Sequence, residues 1–515
     1  MRIFDTYVQK LKYKVLTELA RQTWVGNDAF SVFNDIANQV VKKGEPTMSC
    51  CIYKDRAIVA ERIRIALGGK KEDHNVIQVI DIACDECPVA GHVVTDLCRG
   101  CVAHACVDAC KLGAITVDSH QKAEIDKSKC VECGKCAKSC PYSAIANFKR
   151  PCERACKVDA ISMAPDGVAQ IDSEKCIECG ACVYKCPFGA TLDVSSITDI
   201  IKTIVDSDNN KNYHVHAIVA PAIAGQFQYA KAGQLISAIR ELGFYAVEEV
   251  ALGADIVAYK EAQELQEKGF LTSSCCPAFV KYIKMKFPQL AEHISHNLSP
   301  MAETGKLIKE QDPAAKIVFI GPCTAKKGEV RKPEVHQYVD YVMTFEELQA
   351  MIDSKDIAVD QLPETELDTA TYYGRVFART GGLSEAVTEA VREQKAAAEA
   401  AKADAPDGAG TSGAVASGEA GASGQPASGD GACDGDSADS KPFVFDPIVC
   451  DGIDSCKTAL LRASKGLLPN NFIEGMVCTD GCIGGAACLS HGNADKRAID
   501  NYGKKATHKE IRDVL

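Results

Sequence analysis

Three patterns of apolar and polar residues follow one another along the chain. In the first 80 residues, apolar side chains recur at helical spacing, as in Val15, Leu16, Leu19 and Ala20, which predicts mainly helices. From about residue 194, short apolar runs alternate with amphipathic stretches, in the order AIVAPAIA, AGQLISAIRELG, YAVEEV, ADIVAYKEAQELQEKG, FLTSS and KIVFIGPC. This alternation of strands and helices predicts an α/β fold with ligand-bearing turns at the ends of its strands.

Between these parts, residues 81–193 contain 16 of the 27 cysteines, separated by segments such as AEID and AQID that predict small strands. So short a segment has little room for an apolar core around that many thiols, and its stability must come largely from bound metal. We therefore divide the chain into a mainly helical region over 1–80, a cysteine-rich α+β module over 81–193 and an α/β domain over 194–515.

Residues 396–441 interrupt the α/β pattern. They are rich in alanine, glycine and serine, contain no aromatic residue, and carry eight acidic against two basic side chains. Such a segment has too little apolar surface to fold on its own. Its composition predicts a flexible acidic insertion, or one whose alanine-rich start extends the preceding helix.

The charge of the chain excludes some classes of partner. Acidic residues outnumber basic ones by 70 to 58, for a formal net charge of −12, so no basic surface for nucleic acid is expected. The first residues, MRIFDTYVQKLKYKV, lack the apolar stretch of a signal peptide, and no run of about 18 apolar residues occurs. We expect a soluble cytoplasmic protein without membrane contact, whose cysteines ligate metal rather than form disulfides.

Two segments match the pattern C-x2-C-x2-C-x3-C-P, which is the signature of bacterial ferredoxins. In that signature, three thiolates hold one [4Fe–4S] cube and the fourth reaches a second cube. Zinc is the alternative, but zinc sites pair two C-x2-C units and do not use a fourth cysteine followed by proline. The segments are Cys130, Cys133, Cys136 and Cys140-Pro141, and Cys176, Cys179, Cys182 and Cys186-Pro187.

A shift of 46 residues superimposes these segments and the weaker motifs before them, which indicates an internal repeat of a two-cluster ferredoxin unit. The second copy lacks its first two ligands, because Ala144 and Asn147 stand at those positions, and the pair Cys84 and Cys87 is available to replace them. The expected cubes are Cys98, Cys101, Cys106 and Cys140; Cys110, Cys130, Cys133 and Cys136; Cys156, Cys176, Cys179 and Cys182; and Cys84, Cys87, Cys152 and Cys186.

This spacing also resembles that of the four-cluster electron-transfer subunits of molybdenum oxidoreductases, in which a separated C-x2-C and C-x3-C complete one site. An alternative pairing joins Cys186 to the first triad and Cys140 to the second. With either pairing, the module is a path for electrons.

Three cysteine-containing turns stand out in the α/β domain. Cys275 and Cys276 lie in TSSCCP after a predicted strand, Cys323 lies in GPCTAKK after another, and Cys478 and Cys482 lie in EGMVCTDGCIGG. One thiolate from each of the first two turns and two from the third would complete another cube. The alternative is a set of buried, inert cysteines.

These three segments, in this order and after a multi-ferredoxin module, resemble the signature motifs of the [FeFe]-hydrogenases, T-S-C-C-P, M-P-C-x2-K-K and E-x-M-x-C-x2-G-C-x2-G-G-G. The resemblance covers roughly residues 81–515 apart from the insertion. It implies a two-lobed α/β catalytic domain with an H-cluster. That cofactor is a [4Fe–4S] cube bridged by one cysteine to a di-iron unit that carries CO, cyanide and a bridging dithiolate amine.

The resemblance also implies roles for individual residues. Cys275 would deliver protons to the bridgehead amine, and Lys326 would donate a charge-assisted hydrogen bond to a cyanide. Cys482 would bridge the cube to the di-iron unit. The ligands of the cube would be Cys276, Cys323, Cys478 and Cys482. The residues lining the cofactor pocket would include Pro221, Ala222, Met476 and Phe377.

A proton relay is implied as well. Glu261 and Glu264 are three residues apart on a predicted helix and therefore share a face. With Ser299, which precedes Pro300, they match the relay of the family, in the order Cys275, Glu261, Ser299, Glu264 and solvent. Without the resemblance, two glutamates at this spacing would be interpreted as a solvated helix face.

The sequence departs from the commonest family pattern at several positions. Gly321, Ala222 and Phe279 replace a methionine, a serine and a tryptophan, and Ala486-Ala487 replace two glycines. The changes remove side-chain volume and a hydroxyl group near the expected cofactor, and they put its hydrogen bonding in doubt.

The function that the resemblance implies is a ferredoxin-linked hydrogenase that interconverts H2 with protons and electrons. Expected partners are ferredoxin or a similar small electron carrier, and the maturation proteins that supply the di-iron unit. The alternatives are a non-catalytic iron–sulfur protein of cluster assembly, which needs no proton path, and a hydrogen sensor, for which no signalling domain is visible. Six cysteines are expected to be structural or surface thiols: Cys50, Cys51, Cys433, Cys450, Cys456 and Cys488.

Overall fold

The computed structural model describes residues 4–27, 31–44, 49, 51–70, 73–85, 87, 88, 90–403 and 443–515. Most of the predicted insertion, including Cys433, lies outside the described residues, as does Cys50. Residues 396–403, at the start of that insertion, belong to the helix Gly382–Ala403. The alanine-rich start therefore extends the preceding helix.

The first part of the chain forms three helices: α1 (Tyr7–Trp24), α2 (Phe33–Val40) and α3 (Ile52–Ala66). α1 begins with a capping box, in which Thr6 Oγ1 accepts from the Gln9 N–H at 3.1 Å and Gln9 Oε1 accepts from the Thr6 N–H. Across the described ranges, no helix combines the length and the apolar character that a bilayer span requires.

The cysteine-rich part is built from short elements: β1 (Ile77–Val79), α4 (Asp81–Cys84), β2 (Gly91–Val94), α5 (Ala105–Asp108), β3 (Ile115–Val117), β4 (Ala123–Ile125), α6 (Lys135–Ser139), β5 (Ile145–Phe148), α7 (Pro151–Ala155), β6 (Ile161–Met163), β7 (Ala169–Ile171), α8 (Ala181–Lys185) and β8 (Thr191–Asp193).

The predicted repeat is visible in two antiparallel hairpins, β3–β4 and β6–β7. Each hairpin is followed by a helix, α6 or α8, that carries the third cysteine of a triad. Gly134 and Gly180 precede these helices with φ of 70° and 73°, a conformation that glycine adopts without strain. β1, which lies before the predicted boundary at residue 80, pairs with β8.

The rest of the chain contains α9 (Ile197–Asp206), β9 (Val215–Val219), α10 (Ile223–Gln226), α11 (Ala232–Glu241), β10 (Ala246–Glu249), α12 (Val250–Lys268), β11 (Leu271–Thr272), α13 (Pro277–Lys286), α14 (Pro300–Gln311), β12 (Lys316–Gly321), α15 (Ala325–Glu329), α16 (Pro333–His336), β13 (Tyr341–Thr344), α17 (Phe345–Ser354), α18 (Tyr372–Val376), α19 (Gly382–Ala403), β14 (Pro447–Asp451), α20 (Ile453–Ala463), β15 (Phe472–Met476) and α21 (Asn493–Gly503). Short 3-10 helices span Pro288–His293, Val359–Gln361, Cys482–Gly484 and Ile511–Asp513.

Two parallel sheets organise this region, which confirms the predicted α/β class. One sheet has the order β10-β9-β12-β13, and the other has the order β11-β15-β14. Parallel strands end at the same edge of a sheet, so the turns after β9 and β12 lie side by side. The turns that carry the cysteine motifs follow β11, β12 and β15.

The helix α1 is part of the same core as the first sheet. Its buried residues Val15, Leu16 and Leu19 share one apolar cluster with Ile200 on α9 and Leu348 on α17. α1 packs on both of these helices. The first part of the chain therefore completes a core that it shares with the α/β region.

A buried network of charges joins all three parts of the chain. Lys12 Nζ on α1 lies 2.5 Å from Asp193 at the end of β8 and 2.6 Å from Glu346 on α17. Lys327 Nζ on α15 lies 2.7 Å from Asp193 and 2.8 Å from Glu347. Burial alone would raise the pKa of Asp193, but the two lysines hold it well below its usual value. Asp193 is therefore an ionised carboxylate shared by two lysines.

We predict that Lys12→Met loosens the packing of α1. The substitution keeps the apolar length of the side chain but leaves Glu346 buried without its counter-charge, which costs about 3 kcal/mol. Amide hydrogen exchange in α1 should become roughly a hundredfold faster. Lys10→Met, an exposed position on the same helix, is the control and should change exchange little. Unchanged exchange in Lys12→Met would contradict the role of this network.

Candidate functional site

Four cysteines converge where the motif-bearing turns of the two sheets meet. Cys276 begins α13 after β11, Cys323 follows β12, and Cys478 and Cys482 follow β15. Burial, and then the charges of Cys323 and Cys276, raise the pKa of Cys482 to about 12, and burial and Cys276 raise that of Cys323 to about 11. Burial, and then the charges of neighbouring thiols that include Cys323, Cys276 and Cys482, raise the pKa of Cys478 well above its usual value.

The chemistry of this donor set fits an iron–sulfur cube. Four thiols this close together do not ionise without a cation, because burial and mutual repulsion both disfavour the thiolate. A bound metal cluster removes that penalty, since coordination deprotonates the thiols. The four residues predicted as ligands are thus brought together as one site.

A cavity of about 90 Å³ lies beside three of these cysteines, Cys276, Cys323 and Cys482. Its walls are mostly apolar, with Cys275 and Lys326 as the residues of chemical interest. The predicted residues Pro221, Phe377 and Met476 line it, together with Ala220, Val250, Ala254, Pro277, Pro300, Met301, Phe319, Pro322 and Ala378.

Ala222 does not line this cavity, and the prediction for this residue is corrected. The chain turns into α10 immediately after Pro221, so that Ala222 is the N-cap of that helix. Its side chain is fully buried in the apolar cluster that includes Ile223 and Phe227. At the position where the family usually has a serine, this chain therefore has a buried alanine, Ala222, that belongs to the apolar core.

Lys326 is a buried cation at the cavity wall. Its Nζ lies 2.6 Å from Glu329 Oε2, which makes an ion pair. The geometry is not that of a hydrogen bond, and within the described chain neither of these two atoms has a hydrogen-bond partner. Burial lowers the pKa of Lys326, but Glu329 raises it above its usual value overall, so the ammonium group stays charged. A buried ammonium group that is paired with Glu329 on one side and borders a cavity on the other fits a bound anionic group in that cavity.

Two of the departures from the family pattern, Gly321 and Phe279, each belong to a close contact between a glycine and an aromatic ring. A Cβ on Gly321 would lie 2.6 Å from the ring of Phe319, which stands two residues earlier on β12 and lines the cavity. A Cβ on Gly475 would lie 2.2 Å from the ring of Phe279. The volume that Gly321 leaves is therefore filled by Phe319, a pocket residue that the motif comparison did not identify.

A path of ionisable groups leads away from the cavity through Cys275 and Glu261. Both side chains are buried, and the charge of Glu261 contributes to raising the pKa of the Cys275 thiol, after the larger effect of burial. Glu261 Oε1 accepts from the Ser274 N–H at 3.3 Å, while its Oε2 is buried without a partner among the described residues. Burial raises the pKa of Glu261 to about 7, although bonds from Ser274 and Ser295 act in the opposite direction. Glu261 is thus set to exchange protons near neutral pH.

The serine between the two glutamates is Ser295, which corrects the prediction of Ser299. Ser295 Oγ donates to Glu264 Oε2 at 3.1 Å and also acts on the pKa of Glu261. Ser299 instead is the N-cap of α14, where its Oγ accepts from the Ala302 N–H. Because Pro300 begins that helix, the residue before it serves as the cap. Both serines lie in SHNLSP, and the motif alone did not separate them.

Glu264 connects the path to the surface. It accepts from Lys268 Nζ at 2.7 Å and from Asn297 Nδ2 at 2.9 Å, and it lies 2.6 Å from His296 Nδ1. Burial would raise the pKa of Glu264, but Lys268 and His296 lower it below its usual value. The His296 side chain is 71% exposed. These three contacts of Glu264 were not predicted from the sequence.

Three of the four expected cysteine groups of the small module are brought together, and Cys140 and Cys186 do not follow the alternative pairing. One pocket is lined by Cys98, Cys101, Cys106 and Cys140, and another by Cys84, Cys87, Cys152 and Cys186. Burial raises the pKa values of Cys176, Cys179 and Cys182, and the nearby charge of Cys156 raises each of them further. Burial likewise raises the pKa of Cys136, and the charges of Cys130 and Cys133 add to this effect. Cys110 follows α5, which packs on the helix that carries Cys136.

Neighbouring cysteine groups pack against common apolar clusters. Cys182 of the second triad shares a cluster with Cys84 and Cys152. Cys176 and Cys179 of the same triad pack against another cluster together with Cys276 and Cys323. The second triad therefore lies between the Cys84 site and the four cysteines beside the cavity.

The remaining described cysteines make ordinary contacts. Cys450, Cys456 and Cys488 are buried, and Cys51 is exposed. Cys456 Sγ donates to the Met476 carbonyl at 3.5 Å, and Cys488 Sγ donates to the Ile483 carbonyl at 3.2 Å.

Comparisons with known families agree with this geometry. A family model for the C-terminal domain of the iron-only hydrogenase large subunit matches residues 213–486. A model for a 4Fe-4S dicluster domain matches residues 97–144 and 150–190. The first match covers more than half of the chain and includes all three turns with the cysteine motifs.

Individual relatives are similar over shorter stretches. Iron hydrogenase 1 from Clostridium pasteurianum is 29% identical over 308 residues, which is 54% of this chain and 52% of that protein. The periplasmic [Fe] hydrogenase large subunit from Nitratidesulfovibrio vulgaris is 28% identical over 277 residues, 49% of this chain and 61% of that one. The chain thus spans about half to three fifths of the length of these relatives.

Similarity also extends to a cluster assembly factor and to a solved hydrogenase structure. A cytosolic Fe-S cluster assembly factor from Kluyveromyces lactis is 37% identical over 95 residues, 18% of this chain and 20% of that protein. Among solved structures, an [FeFe]-hydrogenase from Chlamydomonas reinhardtii is 18% identical with a TM-score of 0.46, over 62% of this chain and 92% of that one.

We predict that the double variant Cys84→Ala/Cys87→Ala loses one cube. Five groups of four cysteines should bind about 20 iron atoms in reconstituted protein that lacks the di-iron unit, and removing two ligands of one group should reduce this to about 16. Cys51→Ala, at an exposed cysteine, should leave the iron content unchanged. Iron and sulfide analysis measures the difference, and an unchanged iron content in the double variant would contradict the assignment.

Proposed function

Because the chain belongs to the family of the iron-only hydrogenase large subunit, we propose that it is an [FeFe]-hydrogenase that interconverts H2 with protons and electrons. One observation carries the proposal. The cavity that is lined by cluster-type cysteines and by Lys326 is also the inner end of the path formed by Cys275, Glu261, Ser295 and Glu264. A site for redox chemistry on protons needs both connections.

In this proposal, Cys276, Cys323, Cys478 and Cys482 would hold a cube, and Cys482 would also be a ligand of a di-iron unit with CO, cyanide and a dithiolate amine. That cofactor, when bound, supplies the open iron site and the electron storage that the reaction requires. Lys326, which is already paired with Glu329, would donate a further hydrogen bond to a cyanide, because an ammonium group has three N–H bonds. The apolar walls around Met476 and Phe377 keep water from the site.

The protein side chains move protons in a fixed order. Cys275 exchanges a proton with Glu261, whose pKa of about 7 allows it both to accept and to release one. Ser295 carries the proton between the two glutamates through its hydroxyl group, which both donates and accepts. Glu264, with its lowered pKa, then exchanges with solvent beside Lys268 and His296.

Electrons enter through the cubes of the module, and the second triad is the last of them before the catalytic cysteines. We propose ferredoxin or a similar small carrier as the electron partner, and maturation proteins as the source of the di-iron unit.

A second candidate is a non-catalytic iron–sulfur protein, which is favoured by the similarity to a cytosolic Fe-S cluster assembly factor. That similarity covers 18% of the chain. A cluster carrier would hold the cubes but would make no use of Cys275, Glu261 or the buried ammonium group of Lys326 at the cavity wall.

The two serines of SHNLSP provide a matched test of the relay. We predict that Ser295→Ala lowers hydrogen turnover about a hundredfold, because it removes the hydroxyl group between the glutamates. Ser299→Ala should instead cost about 1 kcal/mol of stability by removing a helix cap, with turnover close to that of the parent. Turnover with a reduced dye and thermal unfolding are measured on the same preparations. Equal turnover in Ser295→Ala and the parent would contradict this route.

The central test compares cysteines with different proposed roles. We expect Cys275→Ala to keep the cubes and the di-iron unit, as seen by metal analysis and by the infrared bands of CO and cyanide, but to lose nearly all turnover. Cys482→Ala should lose the di-iron unit. Cys51→Ala, at an exposed thiol in the first part of the chain, is the control and should remain active. A parent protein that carries the di-iron unit yet neither makes nor consumes H2 would refute the hydrogenase proposal.

A further inference from the structure

A second group of metal-ligating side chains lies at the opposite end of the first sheet. One ligand atom each of His214, His216 and Asp312 lies within 4.8 Å of the others. His214 and His216 stand at the amino end of β9, and Asp312 ends α14 shortly before β12 begins. The cavity adjoins the carboxyl end of β9, so the five residues of this strand put the two sites about 16 Å apart.

His216 has the environment of a metal ligand. Its ring is 8% exposed, and its Nδ1 lies 2.8 Å from Glu248 Oε1 on the neighbouring strand β10. Its other nitrogen, Nε2, is buried and has no hydrogen-bond partner among the described residues. When Nδ1–H donates to a carboxylate, Nε2 presents a lone pair, and this is how proteins orient a histidine that binds metal. A buried nitrogen without a partner is otherwise costly.

His214 and Asp312 supply two more donors at suitable spacing. His214 Nδ1 lies 2.8 Å from Asp312 Oδ2, and two ligands of a tetrahedral zinc ion are about 3.3 Å apart. The His214 ring is stacked on Tyr245 with centroids 3.8 Å apart, which fixes its orientation.

We propose that His214, His216 and Asp312 bind one zinc ion, with Glu248 orienting His216 from behind. Two imidazoles and a carboxylate form a borderline-soft donor set that suits zinc. The fourth position is open to water, because the side chains of His214 and Asp312 are 39% and 29% exposed. The ion would tie the start of β9 to the connection between α14 and β12. Binding of this ion does not depend on the hydrogenase proposal.

The test must separate this site from the many thiols that also bind zinc. Protein with its iron–sulfur clusters in place is incubated with a small excess of Zn²⁺ and desalted, and zinc content and X-ray absorption at the zinc edge are measured. We expect one zinc ion per chain with nitrogen and oxygen ligands only, including two imidazoles. Asp312→Asn and His216→Gln should each weaken zinc binding at least tenfold, and zinc should raise the unfolding temperature of the parent protein but not of these variants.

His120→Gln, at an exposed histidine of the small module, is the matched control and should retain the zinc ion. Zinc bound through sulfur, zinc retained in both site variants, or no zinc on the parent protein would each overturn the proposal. The last result would mean that the group consists only of two histidine–carboxylate pairs.

Discussion

The cost of placing thiols beside one another is the constraint on which most of this structure depends. Closely grouped thiols in a protein interior neither ionise nor gain much from packing, so they are stable neighbours only around a metal cluster. In the cysteine-rich module, the strands have three or four residues and the helices four or five. Elements this short bury little apolar surface, and the metal sites therefore take the place of a conventional core.

The α/β region meets the same constraint in a different way. Its two parallel sheets are covered by helices and pack in extensive apolar clusters, which supply a conventional core. The cysteines come from turns after β11, β12 and β15, where a rigid scaffold fixes the backbone on each side. A site of this kind keeps its shape before a cofactor is bound, whereas the module and its clusters form together.

Much of this arrangement was predictable because cysteine spacing is a covalent property of the chain. The two C-x2-C-x2-C-x3-C-P segments and the 46-residue shift identified the four groups of the module, including the distant pair Cys84 and Cys87. The alternation of apolar runs with amphipathic stretches similarly predicted the parallel sheets. These signals are local, or they repeat at a fixed distance.

The features that sequence analysis missed depend on three-dimensional proximity. Ser295 and Ser299 are equivalent donors in one loop, and only the start of α14 decides which of them is used as a cap. Phe319 compensates for Gly321 because alternate residues of a strand share a face, but the motif gave no sign of it. The contact between Lys12 and Asp193 joins residues 181 positions apart, and no periodic pattern records such a pairing.

The two adjacent lysines of α15 give that short helix a mechanical role. Lys326 borders the cavity, while Lys327 is held by Asp193 at the last residue of the small module and by the Val194 carbonyl at 2.7 Å. Both lysines belong to one turn of helix, so a displacement of β8 shifts the cation beside the cavity as well. β8 directly follows the second triad and the loop that contains Cys186. The position of Lys326 beside the cavity is therefore tied, through its neighbour Lys327, to the packing of the last strand of the cysteine-rich module.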